Sequence, residues 1–352
     1  MLFKHSFIKA ATVMMAALSL SSVVAPATAL AAKKSVNTVT NTQTRAKKGQ
    51  HVQAKAAVTI DAKTGQVLYA QNATQKMPIA SVVKILTLAV IEEDINKGKL
   101  RWNTKIKISK PIGKIANDWH FSNVELDTGR SYTVRDLVNS MMIVSADGST
   151  AALAIKDAGS TAAFNKKMQR VARKAGVRDA KIYNMIGLDN GSMGKLKLKG
   201  VKSSAENQFS ALDVAKISRY LVQHYPSALK ITSGNHVNFT SNDHQKYDML
   251  NINYLIPKCG MEPDYGQVDG LKTGKTDKAG DCFSGTGVFG KRRLIFVVLN
   301  VPGTYNNMFT QSLAMISDVL GRQVKPKTDQ NKNKTSNSQN NASGQSNQVT
   351  AH

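Results

Sequence analysis

Apolar and polar positions mark the elements of this chain with little ambiguity in its middle and almost none of the apolar kind near its C-terminal end. Ala56-Ala57-Val58-Thr59-Ile60-Asp61 and Gln66-Val67-Leu68-Tyr69-Ala70 flank Ala62-Lys63-Thr64-Gly65, which predicts a β-hairpin over 55–70. From Ser81 to Ile91 nearly every residue is apolar, so the helix it predicts must be buried on almost all sides; it ends near Lys97-Gly98. Residues 101–132 read as irregular, with a short strand at Lys105-Ile106-Lys107-Ile108. Thr133, with Asp136 three positions on, caps a helix over 134–144 whose apolar face is Leu137, Met141 and Val144.

The helical pattern breaks at Ser145-Ala146-Asp147-Gly148, resumes over 149–158 and stops at Gly159. An amphipathic helix over 161–175 closes at Gly176, with Lys166, Lys167, Arg170, Arg173 and Lys174 read as a solvated face. A loop-like stretch over 181–209 precedes a helix over 210–224 and a mixed segment to Gln267. Three strand-like runs follow, Val268–Thr273, Asp281–Phe289 and Leu294–Val301, then an amphipathic helix over 306–320. Strands at both ends with helices between predict an α+β layer structure, in which the hairpin 55–70 joins the strands 268–301 in one antiparallel sheet.

The ends read differently. Lys4 and Lys9, the apolar run Ala10–Ala25 and the small residues Ala27-Thr28-Ala29 or Ala29-Leu30-Ala31 predict a secretory signal over 1–31. Residues 32–54 read as a disordered linker, and 323–352, rich in Asn, Gln, Ser and Lys, as a disordered tail. One catalytic domain over 55–322 remains between them. A secreted, extracellular or wall-associated protein is the expectation. Two cysteines, Cys259 and Cys282, make no disulfide framework, and whether they pair stays open. The net charge of +25 does not imply nucleic acid, because the lysines are scattered and lack an aromatic-basic module. Anionic cell-wall polymers, or solubility alone, are the two readings of that charge.

Candidate chemistry starts where two polar residues interrupt the buried helix, Ser81 and Lys84. Residues at i and i+3 share a face, and burial lowers a lysine pKa, so the amine could activate the hydroxyl. A core helix whose Lys84 reaches the surface is the alternative. The spacing alone decides nothing, since Ser6/Lys9, Ser192/Lys195 and Ser227/Lys230 repeat it. A second serine, Ser145, sits in the break between helices, where it could be a functional group or a helix cap. Third, Lys272-Thr273-Gly274 lies on a strand that reads as an edge, with a cation and a hydroxyl suited to a terminal carboxylate and a glycine that clears space for a ligand backbone. Lys63-Thr64-Gly65 repeats the tripeptide in a tight turn.

Taken together, Ser81-x-x-Lys84, Ser145-x-Asp147 and Lys272-Thr273-Gly274 are separated by 64 and 127 residues. This order resembles the active-site serine penicilloyl enzymes, and most closely the low-molecular-mass penicillin-binding proteins that are serine-type D-alanyl-D-alanine carboxypeptidases. Pro78–Thr87 and Val268–Phe283 resemble their first and third motifs, and Gly187-Leu188-Asp189 and Ser210–Ala215 resemble further landmarks. The resemblance covers about residues 55–320.

It implies a β-lactamase/transpeptidase-like fold, an antiparallel sheet flanked by helices plus an all-helical subdomain carrying the second motif. It implies Ser81 as nucleophile, Lys84 as base, Ser145 as proton relay, Lys272, Thr273 and Gly274 as substrate-binding residues, and the backbone N–H groups of Ser81 and Lys275 as the oxyanion hole. The implied substrate is a peptidoglycan stem peptide ending in D-Ala-D-Ala, the implied inhibitors are β-lactams acting covalently, and no metal or organic cofactor is implied.

Asp147 departs from the family's usual Asn, and an ionised carboxylate there only accepts hydrogen bonds. Paired with Lys84 or Lys272, it would hold the amine charged and alter activity. The family's C-terminal β-domain and anchoring helix are not evident. A class A β-lactamase would need an E-x-x-L-N segment, which 150–200 lacks. A D,D-endopeptidase and a wall-binding protein with a weakened site are the other readings.

Overall fold

The computed structural model describes residues 51–240 and 246–327. The signal, most of the linker and nearly all of the tail expected from the sequence therefore lie outside the described residues. The last residues of the expected linker are packed: Val52 is buried, and the Gln71 side chain donates to the carbonyls of Val52 and Ala54 at 3.1 and 2.6 Å.

The hairpin is β1 (Ala56–Asp61) and β2 (Val67–Gln71), turned by Asp61, whose Oδ1 accepts from the N–H groups of Lys63 and Thr64. A short strand β3 (Met77–Pro78) leads into a 3₁₀ turn, Ala80–Val83, and then α1 (Lys84–Asn96). The helix is buried from Lys84 to Asp94, as the largely apolar run to Ile91 requires, but it is regular only from Lys84 onward.

Residues 101–132 hold more structure than their composition suggests. Besides β4 (Lys105–Lys107) they contain α2 (Lys110–Ala116), and β5 (Ser131–Thr133) pairs with β4. The seven-residue α2 carries Pro111 in its first turn, where a missing N–H costs nothing. It also carries Gly113, where a Cβ would lie 2.4 Å from Thr128 Oγ1.

Thr133 caps α3 (Val134–Ile143) in a full capping box with Asp136. After a break at 144–146, α4 (Asp147–Ala158) starts two residues earlier than the sequence reading and ends at Gly159, φ +76°. In α5 (Thr161–Lys174) the basic residues do not form one solvated face. Lys167 bridges Asp94 and Asp157, and Arg170 and Lys174 reach Glu93, so α5 is tied to the end of α1 by ion pairs. Then come β6 (Gln208–Phe209), which pairs with β3, α6 (Ala211–His224), capped by Ser210 and Asp213, and α7 (Ser227–Thr232). The pair β7 (His236–Thr240) and β8 (Lys246–Leu250) completes the middle, so among the described residues three short antiparallel ladders, β3–β6, β4–β5 and β7–β8, accompany the helices.

The C-terminal strands β9 (Gln267–Thr276), β10 (Gly280–Phe289) and β11 (Arg292–Val301) join the hairpin in a five-stranded antiparallel sheet of order β2-β1-β11-β10-β9. Both faces are covered. On β11, Ile295, Val297 and Leu299 face the core shared with α1 and α6, while Leu294, Phe296 and Val298 face α8 (Asn307–Leu320) through Met308, Phe309 and Leu313. This explains why 294–301 reads as continuously apolar rather than alternating. β9 lies at the open edge of the sheet, beside the Ala80–Val83 turn.

Candidate active site

Three segments meet beside that edge. The 3₁₀ turn opening α1 supplies Ser81 and Lys84, the α3–α4 junction supplies Ser145 and Asp147, and β9 supplies Lys272 and Thr273. Lys84 is the hub. Its Nζ donates to Ser81 Oγ at 2.8 Å, to Ser145 O at 2.8 Å, to Ser145 Oγ at 3.1 Å and to Asp147 Oδ1 at 2.5 Å. An ammonium has three protons for these four acceptors, so the contacts compete. Lys84, Ser145, Asp147, Lys272 and Thr273 are buried, while Ser81 is half-exposed. The nucleophile candidate is thus the member of the set that a ligand meets.

Electrostatics follow from burial. Desolvation pulls the Lys84 ammonium below its ordinary range, and Asp147 opposes this only in part. The same burial pushes the Asp147 carboxyl up, against the attraction of Lys84 and Lys272 and a backbone contact at Ser122. Lys272 is lowered well below an ordinary lysine, first by burial and then by repulsion from Lys84. Two ammoniums and one carboxylate share a dry site, so each charge is held at a cost and a neutral amine is within reach.

The turns that carry the two serines are strained. Ala80, just before Ser81, has φ +47°, and Ser145 itself has φ +65°, both in the left-handed region that non-glycine residues avoid. Such conformations cost roughly 1–3 kcal/mol each and persist where packing over-determines them. The packing here is specific. A Cβ on Gly274 would come within 2.9 Å of Ile79 O, Ser81 N and Val82 N, and one on Gly187 within 2.1 Å of Ala80 O. Two later segments of backbone, around Gly187 and Gly274, therefore press on the Ala80–Val83 turn. At the second motif a Cβ on Gly148 would lie 2.4 Å from Ala116 Cβ, so α2 and α4 pack in direct backbone contact.

The described lookalike segments fall away from this cluster, and Ser6/Lys9 lies outside the described residues. Ser192 Oγ donates to Asp189 and Ser227 Oγ to Glu92, and Lys63-Thr64-Gly65 occupies the exposed β1–β2 turn with Gly65 at φ +78°. Lys275 pairs with Asp281 at 3.2 Å at the end of β9. Cys259 and Cys282 are both free and buried.

Some supporting residues carried no sequence signal as site members. The carbonyl of Ser122 accepts from Asp147 N–H at 2.8 Å, and Asn123 Oδ1 accepts from Gly148 N–H at 3.0 Å. Both lie in the stretch read as irregular. Gly187 stood out only through resemblance, and the structure sets it against the backbone of Ala80 and Ser81, where a Cβ has no room.

A family model described as D-alanyl-D-alanine carboxypeptidase, of the peptidase S11 type, matches residues 40–303. The chain belongs to this family. Among curated relatives, D-alanyl-D-alanine carboxypeptidase DacF of Bacillus subtilis is 29% identical over 263 residues, which is 74% of this chain and 61% of that protein. The chain thus spans about three fifths of the length of the first curated relatives it matches. Among solved structures, a peptidoglycan synthesis regulatory factor (PBP3) of Streptococcus pneumoniae is 33% identical with a TM-score of 0.71, covering 77% of this chain and 72% of that one. Penicillin-binding protein D2 of Listeria monocytogenes, solved in its cefotaxime-bound form, is 28% identical with a TM-score of 0.63, covering 78% of this chain and all of that one. The family's β-lactamase-like fold is therefore this chain's fold.

Proposed function

We propose that this chain is a serine D,D-carboxypeptidase that removes the terminal D-alanine from peptidoglycan stem pentapeptides and so limits crosslinking. The observation that carries the reading is the continuous hydrogen-bonded array Ser81 Oγ–Lys84 Nζ–Ser145 Oγ, with Lys272 and Thr273 beside it on an open strand edge.

In this reading Lys84 in its neutral form takes the Ser81 proton as Ser81 Oγ attacks the carbonyl between the two D-alanines. The N–H groups of Ser81 and Lys275 receive the developing oxyanion. Ser145 passes the proton from Lys84 to the leaving amine, and D-alanine departs. Water then takes the acyl group from Ser81, which regenerates the hydroxyl. Lys272 and Thr273 bind the terminal carboxylate, with Gly274 leaving room for the substrate backbone. A β-lactam would be attacked by the same hydroxyl and would stay on it as a covalent penicilloyl group. The S. pneumoniae and L. monocytogenes proteins above support this through shared fold and sequence. The signal-like N-terminus supports a place outside the cytoplasmic membrane, and the strongly basic chain suits an anionic wall.

The direct test is release of D-alanine from a synthetic stem pentapeptide ending in D-Ala-D-Ala. One equivalent of D-alanine per peptide is expected, and none from Ser81→Ala. Cleavage of crosslinked dimers with no release from the pentapeptide would favour the D,D-endopeptidase reading instead.

A further inference from the structure

Between Asp189 and Glu206 the chain has no acidic residue and places four lysines in eight positions, Lys195, Lys197, Lys199 and Lys202. All four are exposed, and none has a carboxylate partner among the described residues. The bracketing acids are turned inward. Asp189 accepts from Ser192 N–H and Oγ, both at 2.9 Å, and Glu206 accepts from Thr276 Oγ1 at 3.0 Å.

This run is a built loop rather than a loose one. The buried Asn190 side chain donates to the carbonyls of Leu198 and Val201 at 3.0 and 3.1 Å and accepts from Leu198 N–H at 2.8 Å. Thr161 Oγ1 donates to Leu196 O at 2.7 Å. Leu196 and Leu198 tuck inward, so the alternating lysines point out as a fixed comb. α2 packs against the 194–196 turn and adds the exposed Lys110 and Lys114. Upstream, Gly187 leans on the Ser81 turn; downstream, Lys278 Nζ donates to Ser204 O at 2.8 Å beside the end of β9.

We infer that this lysine comb is a docking ridge for a linear phosphate-bearing polymer of the cell wall, running near the Ser81 turn and the end of β9. The placement in the wall rests on the function proposed above. The chemistry rests on the loop. Lysine ammoniums are point charges that suit phosphate, whereas the run has no arginine fork for planar carboxylates. It has no exposed apolar side chain to insert into a bilayer, which sets it apart from an interfacial membrane segment. The ridge raises the enzyme's concentration at its substrate and leaves the chemical step untouched.

Long-chain inorganic polyphosphate is the probe. The purified protein should bind it with an affinity that falls steeply as salt rises. Replacing Lys195, Lys197, Lys199 and Lys202 with Gln should weaken binding about tenfold or more, by loss of phosphate contacts. An equal-charge control, with Lys55, Lys63, Lys291 and Lys325 replaced by Gln, should change it less than about threefold. Equal weakening in both variants would overturn the ridge in favour of net charge alone. So would comb-dependent binding to phosphatidylglycerol vesicles with none to polyphosphate. Labelling with fluorescent penicillin, expected unchanged in both variants, reports separately on the catalytic reading.

Discussion

Lys84 Nζ and Asp147 Oδ1 lie 2.5 Å apart with both side chains buried, and the same amine donates to Ser81 Oγ at 2.8 Å. The carboxylate thus competes with the Ser81 hydroxyl for the same ammonium. Asp147 raises the Lys84 pKa while burial lowers it, so Asp147 opposes formation of the neutral amine.

Asp147→Asn removes that opposition. Lys84 then deprotonates at lower pH, so the acid limb of the pH profile of kcat/KM for penicillin acylation moves to lower pH. At pH 6 the rate should rise roughly threefold or more. The same change leaves Lys84 and Lys272 facing each other without the carboxylate, which should lower stability by roughly 2 kcal/mol or more. Stopped-flow acylation and urea unfolding of both proteins measure the two effects. A superimposable pH profile would mean that Asp147 does not govern the base.

Gly274→Ala tests the close approach of β9 to the turn that carries Ser81. The added Cβ meets three backbone atoms at 2.9 Å, none of which can swing aside. Overpacking of this kind costs roughly 1–3 kcal/mol and displaces the turn. Penicillin labelling should fall at least tenfold, an order-of-magnitude expectation for a misplaced nucleophile, with the fold retained by circular dichroism. Normal labelling would show that the turn has room to move.

Glu92, buried on α1 with Ser227 as its hydrogen-bond partner, has its carboxyl pushed up to about 7 by desolvation. Its folded value lies above its unfolded one, so the folded state holds the proton longer and stability is lost as pH rises from about 4.5 through 7. The loss amounts to roughly 3 kcal/mol above pH 7. Glu92→Gln should therefore give a Tm that falls less than that of the wild type between pH 5 and 8. Parallel Tm curves would contradict the assignment.

Asn190→Ala deletes three hydrogen bonds at the centre of the lysine loop and strands two carbonyls and one N–H. Each buried group left unpaired costs roughly 1–3 kcal/mol. The loop should loosen locally, and limited trypsin digestion should cut between Lys195 and Lys202 well before other sites. Unchanged resistance would place the loop's rigidity elsewhere.

Much of this architecture was legible because its signals are local. The hairpin 55–70, the capping box at Thr133, the glycine stop at Gly159 and the strand at 294–301 each follow from a few neighbouring residues. The three motifs could be ordered in the sequence, and the structure brings Ser81, Lys84, Ser145, Asp147, Lys272 and Thr273 to one place. The strain at Ala80 and Ser145, the clasp of Ser122 and Asn123 on α4, and α2 itself depend on contacts between distant segments. No local pattern encodes them. The ion pairs of α5 escaped for the same reason, since their partners Glu93, Asp94 and Asp157 lie on other helices or beyond its start.

The central claim is that Ser81 forms an acyl-enzyme. The most direct measurement is incubation of the purified protein and of Ser81→Ala with fluorescent penicillin, followed by a denaturing gel and by peptide mass mapping of the adduct. The account predicts one penicilloyl group per chain, on Ser81, absent from Ser81→Ala. Failure of the folded wild-type protein to label, or an adduct that persists in Ser81→Ala, would contradict it.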